Sequence, residues 1–501
     1  MNSVNLYILC GGTKLSNFIL YKKSLISAND KKREKRDEMD TLVCLVKDLL
    51  QNGVDISHLD SFFWGFSIPQ ISKEFDLLKI YENGAIINIE LKSQEIELGK
   101  IEYQLKKNQY YLSHLKKEIY SFTYVKNNNC RKVYFYNGDK ICEANIKDII
   151  SVIASTEPCI EKNIEKLFKA KEYLISPINT PELFVSGNYY LTGRQEEIKN
   201  KIIKGIHNGE QVLWGIQGGA GTGKTLLLYD IAKTLGKDMR VCIIHSGILA
   251  EGHRLLNSRL SSLDIIAVKE CCKEKIELYD CILVDEAQRL YQYDFNCLIE
   301  SFKLRQISCV FAYDYFQVLS KAESIRNIPQ QLRECNFFVE NKLSDKIRTN
   351  KEVVSFITNV LNLSKRPRGY MNYENIEILY AKNYSVARRI VSHYVSNRGY
   401  QFISYTPSRI KVNEIDNFGG YINTHHVIGQ EFDNVIFSMD NNFRYDEEGR
   451  LQGKIHPNPD YIFYKLWFQG VSRAREKLCL LIIGNEELFN EILKIKMQFV
   501  E

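Results

Sequence analysis

Gly218-Gly219-Ala220-Gly221-Thr222-Gly223-Lys224-Thr225 is the stretch whose reading decides the fold. It follows the strand-like run Val212-Leu213-Trp214-Gly215-Ile216 and precedes the helix-like Leu226-Leu227-Leu228-Tyr229-Asp230-Ile231-Ala232. Strand, glycine-rich turn and helix are the context that the pattern G-x-x-x-x-G-K-[ST] needs. Glycines let successive backbone N–H groups face one centre at a helix N-terminus, which makes an anion cradle. Gly218, Gly221 and Gly223 are expected to shape that cradle around phosphate. Lys224 is expected to reach the β- and γ-phosphates of ATP, and the Thr225 hydroxyl to ligate Mg²⁺.

Two further apolar strands point to the same sheet. Val241-Cys242-Ile243-Ile244 ends at His245-Ser246, and Cys281-Ile282-Leu283-Val284 ends in Asp285-Glu286-Ala287-Gln288. Open α/β sheets bind ligands at the carboxyl ends of parallel strands, where Asp285 must lie. Asp285 is expected to hold Mg²⁺ and Glu286 to orient or deprotonate the attacking water. A third run, Cys309-Val310-Phe311-Ala312-Tyr313, ends in Asp314 with Gln317 beyond it.

Composition bounds the partners. In 501 residues, 67 Lys and Arg stand against 61 Asp and Glu, so a nucleic-acid surface must come from local clustering rather than bulk charge. The thirteen cysteines include no C-x-x-C pair and read as reduced thiols. No stretch has the ~18 apolar residues of a membrane span, and no signal peptide is evident at the start, so a cytoplasmic protein is expected.

Nearer the start, Glu74–Ile80 and Ala85–Lys92 are β-rich runs flanking Asn83-Gly84, which predicts a hairpin. Glu90 and Lys92 leave the second strand on one face, and Asp76 on the partner strand can point there too. Two carboxylates and a lysine converging make a candidate Mg²⁺ site that activates water beside a phosphate. The pattern Asp76…Glu90-Leu91-Lys92 resembles that of restriction-endonuclease-like nucleases, D…(D/E)-x-K. The helix around Gln104–Leu112 is similar to the Gln- and Tyr-bearing helix that follows the core hairpin in some of them. That family often adds a carboxylate from its first helix, for which Glu38 or Asp40 is available.

From about residue 190 onward the chain resembles a superfamily 1 helicase motor. Gln195 matches the adenine-reading glutamine, 218–225 and 285–288 the two nucleotide motifs, and Asp314…Gln317 the coupling motif, with Tyr313 where a glycine is usual. Arg348 matches the phosphate-sensing arginine, Thr424–Asp433 with Glu431 the motif that meets nucleic acid and nucleotide, and Arg473 the arginine finger. The nearer likeness is to bacterial Schlafen-like helicases. The resemblance implies ATP and Mg²⁺ as cofactors and nucleic acid as partner, DNA rather than RNA, in a bacterial antiphage setting.

The expected fold is α/β: a restriction-endonuclease-like domain over 1–155, a helical linker over 156–185, and two RecA-like parallel-sheet motor domains over 186–340 and 341–501. The expected function is an ATP-dependent nuclease–helicase. Two alternatives stay open: an ATP-switched nucleic-acid sensor whose first domain does not cut, and the same machine acting on RNA. Short spacers from Ser246 to Cys281 and from Arg348 to Thr424 leave little room for accessory domains, so translocation on single strands is expected over long-range unwinding.

Overall fold

The computed structural model describes residues 3–10, 36–68, 73–81, 85–127, 130–154, 164–168, 173, 175–219, 221–271, 273–315, 317–343, 350–365, 371–407, 414–420, 422–453 and 461–497. The chain divides into two compact units, Met1–Tyr173 and Leu174–Glu501.

The first unit is a mixed six-stranded sheet in the order β1-β2-β3-β4-β5-β6. Its strands are β1 (Phe63–Ser67), β2 (Glu74–Ile80), β3 (Ala85–Lys92), β4 (Glu118–Asn127), β5 (Cys130–Tyr136) and β6 (Ile141–Ala144). β2 and β3 pair antiparallel, as the hairpin expectation has it, while the turn residues themselves lie outside the described set. β3 and β4 are parallel, with a helix between them in the chain. Among the described helices that flank the sheet are α1 (Arg36–Gln51), α2 (Leu98–Ser113) and α3 (Ile146–Ala154).

Alternation along β3 sorts its side chains by face. Ile87, Ile89 and Leu91 join Leu42, Leu45 and Ile149 in one core with α1 and α3. Asn88, Glu90 and Lys92 therefore take the face on which Ile101 and Leu105 of α2 pack with Val125 and Tyr136. A polar trio is placed beneath a helix rather than in water.

Sequence reasoning ends this unit at 155, but it runs to Tyr173. The reason is aromatic: Phe168 packs 5.1 Å from the Phe66 ring, and Tyr173 lies 4.6 Å from His114. Within the expected helical linker the described elements are a 3₁₀ turn at Ile164–Leu167 and a short helix at Pro181–Ser186.

The second unit holds two parallel sheets. The larger runs in the order β12-β7-β11-β10-β8-β9. Its elements are α4 (Gly193–His207), β7 (Leu213–Gly218), α5 (Lys224–Leu235), β8 (Val241–His245), β9 (Leu263–Ala267), β10 (Cys281–Asp285), α6 (Gln292–Arg305), β11 (Ser308–Tyr313) and β12 (Phe338–Leu343). Every pairing is parallel. Parallel strands are covered on both faces, which is why these runs are almost wholly apolar. Ile216, Ile243 and Leu283 pack under α4 and α5, and Ile244, Val284 and Phe311 pack under α6.

The smaller sheet, β13-β18-β15-β14, is also parallel. It is built from β13 (Ile376–Ala381), β14 (Gln401–Phe402), β15 (Phe432–Met439) and β18 (Ala474–Ile483), with a separate hairpin of β16 (Phe443–Tyr445) and β17 (Leu451–Gly453). Helix α7 (Phe463–Val471) packs on it through Leu466 and Trp467 and leads to Arg473 just before β18. We call the two sheets with their helices the first and second lobes.

Candidate nucleotide and nucleic-acid sites

β7 ends at Gly218 and α5 starts at Lys224, so the glycine-rich loop sits on a helix N-terminus at the carboxyl edge of the first-lobe sheet. Gly221 and Gly223 have φ of +72° and +80°, a conformation that side chains resist. The Thr222 hydroxyl donates to Gly219 O at 2.9 Å, and Lys224 Nζ donates to the same carbonyl at 2.9 Å. Thr225 Oγ1 lies 3.3 and 3.4 Å from the two carboxylate oxygens of Asp285. A hydroxyl facing a fully buried carboxylate is the donor set that fits a hydrated Mg²⁺.

Gln195 straps this loop from below. Its carbonyl accepts from Thr192 N at 2.9 Å in a capping box at the start of α4, and its amide reaches Gly223 O at 3.3 Å.

Asp285 ends β10, and Glu286 follows in the left-handed region with φ +57°. That conformation is costly for a non-glycine residue and marks a position held by its surroundings. Gln288 Nε2 donates to Glu286 Oε2 at 2.5 Å, while Gln288 Oε1 accepts from Asp314 N at 3.1 Å. One glutamine thus ties the ends of two strands together. Burial works to raise the Glu286 proton affinity, yet the charges of Arg289, Lys224 and Arg473 win and keep it below the ordinary carboxylate range. Asp314 approaches Lys224 Nζ at 3.9 Å, and Gln317 beyond it is buried with its Oε1 unpartnered among the described residues.

The second lobe supplies Arg473. Arg473 is 5% exposed, and its guanidinium donates to Gln469 O at 3.2 Å, Gln430 O at 3.3 Å and Ser472 Oγ at 3.4 Å. Burial lowers its proton affinity, and the opposing charges of Glu286 and Glu431 sustain it. Glu431 itself receives Asn179 Nδ2 at its backbone carbonyl. Lys224, Thr225, Asp285, Glu286, Asp314 and Arg473 are thereby linked through contacts or charge; Arg348 lies outside the described residues.

Beside this centre a cavity of about 810 Å³ opens between the lobes. Its first-lobe wall carries the cations Arg254, Lys269, Arg289 and Arg326 against the carboxylates Glu270 and Glu323, and its second-lobe wall Thr406, Asn423, His425 and Tyr461. The Arg326 guanidinium sits 5.1 Å over Tyr291, and His425 meets Tyr461 edge to face at 5.2 Å. Burial, and then the Arg289 charge, hold His425 neutral by lowering its pKa to about 4. Cations interleaved with aromatic rings suit a polyanion that also stacks.

In the first unit, Asp76, Glu90 and Lys92 do come together. Asp76 lies one step beyond the Leu77–Ile89 pair, and its Oδ2 accepts from Leu91 N at 2.8 Å. Glu90, 1% exposed, accepts from Gln104 Nε2 and from Asn108 Nδ2, the latter at 2.6 Å. Lys92 Nζ stands 3.8 Å and Lys73 Nζ 4.0 Å from its two oxygens. Burial, then the Glu90 charge, push the Asp76 carboxyl well above its usual range, and Glu38 adds a smaller push in the same direction. Two crowded carboxylates of this kind are relieved by a divalent cation between them. Among the described residues, however, no three His, Cys, Asp or Glu side chains gather as a metal-holding group.

Sequence reasoning missed Arg289, Lys73 and Asn108. Asn108 follows Gln104 by four, so both lie on one face of α2, a signal available from spacing alone. Nothing in their spacing singles out Arg289 or Lys73.

Residues 211–400 match the family model described as Schlafen group 3, DNA/RNA helicase domain. No protein of curated function matches the chain. Among solved structures, the Pif1 helicase from Candida albicans aligns at TM-score 0.33 and 13% identity over 62% of this chain and 100% of that one. The arterivirus nonstructural protein 10 helicase aligns at 0.33 and 13% over 58% of this chain and 64% of its own. The DNA-bound helicase MrfA aligns at 0.32 and 11% over 64% and 53%. Residues 211–400 are thus similar to a helicase domain, and they lie on a mixed α/β scaffold with parallel sheets. No helix among the described residues is long and apolar enough to cross a membrane.

Proposed function

We propose that the chain is an ATP-driven motor acting on single-stranded nucleic acid, DNA by preference, joined to a Mg²⁺-dependent phosphodiester-cleaving unit. The observation that carries the motor reading is the gathering of Lys224, Thr225, Asp285, Glu286 and Asp314 in one lobe, with the charge of Arg473 from the other lobe acting on Glu286, beside a cationic and aromatic cavity.

In this reading the N–H groups of the loop and Lys224 hold the β- and γ-phosphates. Thr225 and Asp285 would hold Mg²⁺, which supplies neutralisation of phosphate charge. Glu286, kept ionised by its cationic neighbours, orients the attacking water and accepts its proton. Arg473 and Arg348 meet the charge that spreads over the transferred group. Because Arg473 belongs to the second lobe, the charge it meets in the first favours cleft closure, which converts nucleotide state into motion.

For the first unit, Asp76 and Glu90 would hold the metal and Lys92 would stabilise developing negative charge. Asp76 is the observation in favour, its carboxyl pushed up by burial and by a second carboxylate. The alternative of a non-cutting binding module draws on Glu90, whose oxygens already take two amide donors and two lysines. The resemblance to Schlafen-like proteins supplies the setting, bacterial antiphage defence.

The test is a cleavage assay on single- and double-stranded DNA and RNA, with and without ATP and Mg²⁺. Mg²⁺-dependent cutting that Glu90→Ala removes supports the nuclease; absence of cutting on every substrate selects the binding module.

A further inference from the structure

Arg289 stands on the wall between the hydrolytic centre and the cavity, and its surroundings are unusual. It ends the 3₁₀ turn that begins right after Glu286, and it is 5% exposed. Its Nε lies 3.8 Å from Glu286 Oε2 and its Nη1 3.9 Å from Glu323 Oε1. All three of its nitrogens lack a hydrogen-bond partner among the described residues. A buried guanidinium has five N–H donors, and leaving them unsatisfied is costly unless an anion completes the set.

Arg289 is one of the residues lining the cavity, together with Ser320, Glu323 and His425, although its nitrogens are themselves sealed from solvent in this structure. Neither carboxylate is close enough to hydrogen-bond it. The Oε2 of Glu323 is engaged elsewhere, accepting from Leu319 N at 2.7 Å and from Ser320 N at 3.4 Å, the latter in the capping box of its own helix. Glu286 is engaged by Gln288 at 2.5 Å. Arg289 therefore stands between two anions that hold it weakly, on the wall of the cavity and with its donors unspent.

We propose that Arg289 receives one backbone phosphate of a single strand lying in this cavity, and that this contact draws its guanidinium off Glu286, so that strand occupancy switches on ATP hydrolysis. The inference rests on the motor reading above and adds the coupling residue to it. With no strand present, the Arg289 charge pins the Glu286 carboxylate toward itself and away from the water it must orient; once Arg289 is drawn off, Lys224 and Arg473 remain as the charges that keep Glu286 ionised. A phosphodiester offers two oxygens in a geometry that the planar fork matches, which neither engaged carboxylate provides. Arg289 acts on hydrolysis through Glu286, so its role there is positioning.

The experiment uses the full chain and its Arg289→Gln and Arg289→Lys variants. ATP hydrolysis is measured without nucleic acid and with saturating single-stranded oligothymidylate or oligouridylate, and oligonucleotide affinity is titrated against salt. For Arg289→Gln the strand-free rate rises several-fold and the ratio of stimulated to strand-free rate collapses toward one. The slope of log affinity against log salt becomes shallower by about 0.7, the value of one single-strand phosphate contact. Arg289→Lys keeps the salt slope of the parent, because it keeps the charge, but has a lower stimulation ratio, because it lacks the fork. Should Arg289→Gln not fold, the lysine variant decides alone: a parental stimulation ratio overturns the proposal. A glutamine variant with parental ratio or parental salt slope also overturns it, and so does an equal fall of both rates, which marks a merely structural residue. If the parent hydrolyses ATP but neither strand accelerates it, the motor reading itself falls. If the parent is stimulated and Arg289→Gln is stimulated equally, only this inference is lost.

Discussion

Replacing Arg473 with alanine separates a catalytic contribution from a structural one, because the two have different sizes. The side chain is 5% exposed and gives hydrogen bonds to Gln469 O and Gln430 O. Truncation leaves those carbonyls without this donor, at about 1–2 kcal/mol each. It also removes a charge whose burial is itself unfavourable, as the lowered proton affinity of Arg473 records. That relief of a few kcal/mol opposes the lost bonds. The net stability change is therefore small, within about 2 kcal/mol of the parent. Transition-state charge on a transferred phosphoryl group is a different matter, since an arginine finger contributes about 10³-fold or more, roughly 4 kcal/mol or above. Steady-state hydrolysis with varied ATP, together with a thermal melt, reads both. The expected result is a loss of three or so decades in kcat with KM within a few-fold, and a Tm close to the parent's. Arg473→Lys should not recover the rate, because an ammonium lacks the planar fork. A kcat for the alanine variant within about tenfold of the parent, or full recovery by lysine, would refute the finger assignment and leave an ordinary buried cation.

Other expected outcomes follow from the same geometry. Glu286→Gln should bind a fluorescent ATP analogue as tightly as the parent but fail to turn over, since Glu286 contributes a charge and not the cradle. In the first unit, Glu90→Ala and Lys92→Ala should each abolish Mg²⁺-dependent cutting while ATP hydrolysis persists, because the two reactions reside in separate compact units. Cutting that survives an Asp76→Ala, Glu90→Ala double variant removes the site. His253 gives a pH signature. Burial, then the neighbouring His245, depress its pKa to about 2, whereas an unfolded histidine protonates near 6.5. Below pH 6.5 the unfolded chain binds the extra proton, so this residue's contribution to stability falls by about 1.4 kcal/mol for each pH unit lost. His253→Asn, which retains an acceptor for Ala250 N, should flatten the dependence of the urea midpoint on pH between 7 and 5; an unchanged slope contradicts the burial argument.

Local chemistry was readable in the chain wherever it is contiguous. The bounds of β2 and β3, the strand–loop–helix at Gly218–Thr225, and the apolar strands ending in Asp285 and Asp314 all follow from periodicity and turn residues. Contacts between distant residues were not. Arg289 looks like any cation after an acidic pair; its meaning arises because the turn at Ala287–Arg289 buries it against Glu286 and Glu323. Lys73 likewise acquires a role only when the β2–β3 pairing brings Glu90 within 4.0 Å. The end of the first unit escaped for the same reason. Phe168 and Tyr173 sit in a polar, linker-like stretch, and their docking onto Phe66 and His114 depends on surfaces far earlier in the chain and assembled only on folding.

Strand-dependent ATP hydrolysis tests the central claim most directly. The full chain and its Lys224→Ala variant are assayed for phosphate release with Mg²⁺, alone and with single-stranded DNA or RNA. The account predicts a slow rate without nucleic acid, a marked acceleration by a single strand, larger with DNA than with RNA, and no hydrolysis in the Lys224→Ala variant. An unaccelerated rate with either strand, or parental hydrolysis by Lys224→Ala, would contradict it.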